Sequence, residues 1–230
     1  MTAVYLNRPS LFRFTPVADD ANLMDLSGFR AHEVLNVYLR LLRHASDFHL
    51  SMRNPVTLKE FPTEPSLFRK DVAPYVTEII GRYGLEEWKA CLLTNEFHRH
   101  LGIYSIVGAK MGIRAREILE APFDHLEVIS RAGNAPPLSC MNDGLQVATG
   151  ASLGRGAIRI SSREQSAAAM FIYENRKLTL KLKEEAKEMI RADIQRALKK
   201  YGGLNPEYFA HIRELSLDYW LNLDRKEIFD

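Results

Sequence analysis

The stretch from Ile158 to Tyr201, IRISSREQSAAAMFIYENRKLTLKLKEEAKEMIRADIQRALKKY, changes its period part-way, and that change decides the fold class. Ile158 to Ser161 and Ala167 to Tyr173 are apolar runs of strand length, and a hairpin joining them is expected. Leu178 to Lys183 reads as a further strand. From Glu184 onward the period becomes helical, with Glu184, Glu185 and Glu188 early and Arg196, Lys199 and Lys200 late. That distribution suits the helix dipole and predicts a solvated face, not a nucleic-acid stripe. Gly202-Gly203 stops the helix, and Asn205-Pro206 starts a last one that should end near Phe229, with Tyr219 and Trp220 as docking anchors.

Working outward, His125 to Arg131 alternates as a strand, Ala135-Pro136-Pro137 interrupts pairing, and Ser139 to Val147 predicts a short helix capped near Ser139. Gly150 to Gly156 is a glycine-rich turn. Glu96 to Leu119 predicts a loop or first turn followed by a helix whose Gly102, Gly108, Ala109, Gly112 and Ala115 would admit a second backbone at close range. Val72 to Leu93 predicts helix broken near Gly81 to Gly84. The front of the chain is poor in strands. Residues 1–20 read as an extended arm, Asp25 to Leu50 as an amphipathic helix through Val34, Leu35, Tyr38, Leu41 and Leu42, and Asn54 to Pro65 as a linker. The expected class is α+β: a central antiparallel sheet packed by helices, with helical N- and C-terminal extensions. The expected segments are 1–75, a helical N-terminal extension; 76–183, an α+β core; and 184–230, a helical C-terminal segment.

Bulk properties narrow the functional classes. Lys and Arg number 31 against 29 Asp and Glu, so the formal charge of +2 gives no basis for nucleic acid or an anionic membrane as partner. No run of apolar residues reaches transmembrane length, and Met1 to Pro16 lacks the apolar core of a signal peptide. Cys91 and Cys140 are far apart without framework spacing, which suits reduced thiols and a cytoplasmic location.

Chemistry concentrates in the middle third. His98-Arg99-His100 can aim both imidazoles at one point in extended backbone but not within a helix, so the pair makes a site only if it precedes the helix. The polar run Thr94-Asn95-Glu96 permits that. Cys140, in the first turn of a helix, faces unpaired N–H groups that favour the thiolate. Two imidazoles and a thiolate make the donor set of an open zinc site. Asp143 shares a helix face with Cys140 and could orient a histidine or accept a proton. Lys110, Gln146 and Arg155 are candidate contacts for a small anionic ligand. His32, His44 and His49 show no shared spacing that converges on a metal.

Two stretches resemble motifs of the FmdE-like family, proteins associated with formylmethanofuran dehydrogenase. One is Phe97-His98-Arg99-His100-Leu101-Gly102, continuing to Val107-Gly108-Ala109-Lys110-Met111-Gly112; the other runs from Pro136-Pro137-Leu138-Ser139-Cys140 to Gly156. The resemblance implies an α+β core, a homodimer, and a divalent transition metal, zinc foremost, near His98, His100 and Cys140. It also departs from the family: Arg99 stands where glycine usually separates the two histidines, Gly102-Ile103-Tyr104 follows where many members have a cysteine or glycine-proline, and the cysteine-rich C-terminal finger of some members has no counterpart. The leading expectation is a metal-dependent enzyme or cofactor-handling protein acting on a small anionic metabolite, with Cys140 and Asp143 at the reacting centre. The alternative is a non-catalytic homodimeric accessory protein with a structural His/Cys cluster. A metal-free cysteine nucleophile activated by histidine is a third option.

Overall fold

The computed structural model describes the backbone of residues 13–17 and 20–27 and the full structure of 56–161 and 165–230. The chain divides into two compact units, residues 1–61 and 62–230. In the first, β1 (Arg13–Val17) and β2 (Asp20–Ser27) pair antiparallel, from Arg13 opposite Ser27. The helix expected over Asp25 to Leu50 begins inside β2; from residue 28 it lies outside the described residues, as do His32, His44 and His49.

The second unit contains α1 (Val76–His98), α2 (Ile103–Leu119), β3 (Glu127–Ser130), α3 (Met141–Thr149), β4 (Ile158–Ile160), β5 (Ala168–Tyr173), β6 (Arg176–Lys181), α4 (Glu184–Tyr201) and α5 (Pro206–Asn222). Strand order is β4-β3-β5-β6. The class is α+β, with the sheet mixed rather than wholly antiparallel: β3 runs parallel to β4 and antiparallel to β5. The expected β4–β5 hairpin is therefore replaced by β5–β6, tightly turned from Tyr173 to Arg176. Inserting β3 between β4 and β5 lets Val128 and Phe171 share the buried face, both fully inaccessible. Alternation sends Val128, Ser130, Ala169, Phe171 and Leu180 into the core. Met170, Thr179 and Lys181 fall on the opposite face.

Helix breaks follow local chemistry. The predicted break in α1 falls at Gly84, whose φ of 83° is in the left-handed region that glycine adopts without penalty. Gly202 ends α4 in the left-handed helical conformation, φ 72° and ψ 16°. Asn205 caps α5, its side chain accepting from the Tyr208 N–H at 2.9 Å. The α3 start differs from expectation: a 3₁₀ turn over Leu138–Cys140 leads in, and no Ser139 side chain caps it. The last helix also stops early, at Asn222. The tail then returns to the sheet, where Asp230 and Lys181 exchange backbone hydrogen bonds at 2.9 and 3.0 Å. Trp220 docks as anticipated, stacking on Trp88 with centroids 4.9 Å apart, and Phe68 meets the far side of Trp88 edge-on.

The decisive packing is α2 against α3. A Cβ on Gly108 would stand 2.1 Å from the Met141 carbonyl oxygen, and one on Gly144 would stand 2.3 Å from the Ala109 nitrogen. Both are backbone atoms, so neither can move aside without shifting a helix. Gly108→Ala or Gly144→Ala should each cost about 3 kcal/mol or more by overpacking. Gly81→Ala, where a Cβ meets nothing within 4 Å, should stabilise by about 0.5–1 kcal/mol through helix propensity. Urea unfolding of the three variants checks the contrast.

Candidate functional site

The two histidines come together by a route other than extended backbone. Thr94 and Asn95 are buried helical residues whose side chains bond back to Ala90 O and Cys91 O at 2.6 and 2.8 Å. That back-bonding satisfies their polar groups inside α1, so the polar run continues the helix to His98. Arg99 then takes a left-handed conformation, φ 67° and ψ 6°, and turns His100 back toward His98. The ring centroids lie 4.2 Å apart, tilted by 41°. Asn95, which the sequence presented only as a polar spacer, braces this turn by accepting from the Gly102 N–H at 3.2 Å. Ser105 Oγ stands 3.0 Å from the same amide oxygen and 2.7 Å from Gly102 O.

From the other side, α3 presents Asp143. Its Oδ2 lies 2.7 Å from His98 Nδ1. Asn142 fixes the start of α3 against β3, accepting from Ser130 Oγ at 2.6 Å and donating to Gly133 O at 2.9 Å. A carboxylate only accepts, so Nδ1 carries the hydrogen, and it is Nε2 that bears the lone pair whenever the ring holds a single proton. That Nε2 is buried and has no hydrogen-bond partner. Gly102 lies against it, since a Cβ there would stand 3.5 Å from Nε2. His100 is exposed, with Phe209 edge-on at 6.1 Å. Although the residue is exposed, desolvation of the covered part of its ring, then repulsion from His98 when that ring is protonated, push the His100 imidazole below its ordinary range, which favours the neutral ring.

Cys140 is half-buried and stands within the field of Asp143. Desolvation, then that negative charge, push its thiol up, outweighing the backbone hydrogen bond that favours the thiolate. Burial and Asp143 thus oppose the thiolate that the helix start was expected to favour; a divalent cation beside the sulfur would invert the balance. Among the described residues, no group of three or more His, Cys, Asp or Glu side chains is arranged to hold a metal ion. The histidine pair fits as two donors: one ring has a carboxylate behind it and a free buried lone pair in front, as metal-bound imidazoles do. A third donor is not assembled with them.

The other predicted residues lie elsewhere or are engaged. Lys110 is fully buried, 2.6 Å from Glu87, and sits over the Tyr83 ring at 3.8 Å. Arg225 reaches the other Glu87 oxygen at 2.9 Å and Glu117 at 2.6 Å. Gln146 accepts from the Leu153 N–H at 2.8 Å. Arg155 pairs with Asp124 and donates to Gly150 O at 3.0 Å, bracing the turn after α3.

The family model described as FmdE, Molybdenum formylmethanofuran dehydrogenase operon, matches residues 97–230, more than half of the chain, including His98, His100, Cys140 and Asp143. The chain belongs to the FmdE family. No curated protein matches it. The FmdE match begins at Phe97, one residue before the first histidine, so the upstream part of α1 that carries Glu87 and Asn95 lies outside it. Among the described residues, no helix of this FmdE-family chain is long and apolar enough to cross a membrane.

Two measurements test these assignments. Arg99→Gly should relieve the left-handed strain and stabilise the protein by about 1 kcal/mol, visible as a raised melting temperature. Lys110→Met should destabilise by about 3 kcal/mol, because it leaves Glu87 buried with Arg225 alone; a loss within a few tenths would mean that the pair is not isolated from water.

Proposed function

We propose that this FmdE-family chain is a metal-binding protein in which His98 and His100 hold a divalent transition metal, zinc foremost, and in which Cys140, not gathered with them in the structure, is the further donor recruited by the ion. The observation that carries the reading is the buried, unpartnered Nε2 of His98 with Asp143 bonded to the opposite nitrogen. An orphaned buried acceptor is costly unless something occupies it. Asp143 holds the hydrogen on Nδ1 and so keeps the Nε2 lone pair available. Gly102 places no side chain against that atom, and Asn95 holds the turn that sets the distance between the rings.

Such an ion would supply Lewis acidity or lower the pKa of a bound water, which suits a metal-dependent enzyme or cofactor-handling protein acting on a small metabolite. The chain's own contribution is orientation: Asp143 fixes the tautomer and ring plane of His98, and partial burial favours neutral His100. Lys110, Gln146 and Arg155 lend this reading no support as substrate contacts, because each is engaged internally. A second reading follows from the histidine pair having no third donor gathered with it among the described residues. In it the chain is a non-catalytic, homodimeric accessory protein, and the histidine pair and cysteine are structural.

Metal analysis of untagged protein separates the two. The first reading expects about one ion per chain, lost in His98→Ala and His100→Ala and reduced in Cys140→Ser. Asp143→Asn should weaken zinc affinity by about 10–100-fold, as expected for an outer partner of a ligating histidine. Metal content equal in wild type and the histidine variants would sink the first reading. A chelator that leaves melting temperature and oligomeric state unchanged would favour the second.

A further inference from the structure

A polar concavity lies in the same unit, built by residues outside the histidine pair. Its volume is about 230 Å³, and Arg131, Gln165, Ser166, Ala168, Thr179, Lys181 and Lys187 line it. Sheet register explains the gathering. Lys181 pairs opposite Ala168 in the β5–β6 ladder, and Arg131 continues β3 with its N–H donating to Ala168 O at 2.9 Å. Ser166 returns the exchange, its N–H donating to Arg131 O at 2.8 Å. Buried Ala168 therefore stands between two cationic neighbours, one on each adjoining strand. Thr179 lies two residues from Lys181 on the same sheet face, and Lys187 comes from the first turn of α4.

The lining holds three cations and no carboxylate. Glu184, just outside the lining, stands 2.8 Å from Lys187 and within the field of Lys181; as an exposed carboxylate it offsets only part of the three positive charges. Among the described residues, no carboxylate comes within 4.0 Å of Arg131 or Lys181. Their side chains offer only donors, a planar fork and an ammonium, and the Ser166 and Thr179 hydroxyls and Gln165 amide add more. Like charges brought together by three different elements repel unless something negative joins them. An acceptor-only ligand with more than one negative charge meets both demands. The space is smaller than the roughly 300–1,000 Å³ of drug-sized sites, which excludes a whole nucleotide and admits a phosphate with a small organic group.

We infer that this pocket is an anion site for a phosphate group, free or carried by a small metabolite. It is independent of the metal reading, since neither histidine nor Cys140 lines it. It also differs from the anion contacts expected from sequence, Lys110 and Arg155, whose charges are met inside the protein.

The test is calorimetric titration of the full chain with inorganic phosphate, and separately with glycerol 3-phosphate, at ionic strength held constant with chloride. Saturable binding at one site per chain is expected. Arg131→Gln/Lys181→Gln should weaken it by at least about tenfold, the scale of one charge-assisted hydrogen bond. Tighter binding of glycerol 3-phosphate would assign the site to a phosphorylated metabolite; equal or weaker binding would assign it to the free ion. Should the double variant fail to fold, Lys181→Gln alone, at an exposed position, should weaken binding at least about threefold. Heats no larger than the chloride control, or unchanged affinity in the folded variants, would overturn the inference.

Discussion

The near-contact of two backbones, α2 on α3, is the constraint from which the site follows. Gly108 faces the Met141 carbonyl and Gly144 faces Ala109, with no side chain between the helices at either point. Interiors pack at crystal-like density, so helices this close have little freedom to slide or rotate. Asp143 precedes Gly144, and its carboxylate therefore arrives at His98 as a consequence of the packing. Removing a side chain from the helix interface is what gives the dyad its geometry. The helical cost of each glycine, about 1 kcal/mol against alanine, is offset by contacts that no larger residue would allow.

The other half of the site depends on one strained residue. Arg99 occupies a left-handed conformation that glycine would adopt freely. Retaining arginine keeps the same turn at higher conformational cost. Asn95 and Ser105 close the turn from inside, so the ring-to-ring distance is set by buried hydrogen bonds instead of by the exposed arginine. Geometry held from the inside tolerates a bulky side chain on the outside.

Much of this was legible in the residues. The switch from strand to helix period near Glu184 identified the class, and the small residues of α2 announced a close neighbour. What the pattern could not convey was strand order. Ile158–Ile160 and Ala168–Tyr173 read as sequential partners, yet β3 lies between them, because only long-range pairing decides which strand fills a sheet position. Polar residues misled for a related reason. Thr94 and Asn95 suggested a loop, but both are satisfied by helix carbonyls four residues back. Lys110 suggested an anion contact, but its partner Glu87 lies on another helix. The cationic pocket was missed because Arg131, Lys181 and Lys187 come from three separate elements.

The buried charges also show how the family-matched region is completed. Glu87 precedes the match, which begins at residue 97, while Lys110, Glu117 and Arg225 lie within it. Glu87 accepts from both Lys110 and Arg225, so without α1 two buried or half-buried cations would lose a counter-charge. The Trp88–Trp220 stack ties the same helix to α5. Asn95, also upstream of the match, holds the turn on which the histidine pair depends. The matched segment therefore does not carry its own site intact: the helix before it supplies the counter-charge, the aromatic anchor and the amide that positions the rings. Residues 62–230 accordingly form one compact unit, with the motif region as its interior and α1 as one of its walls.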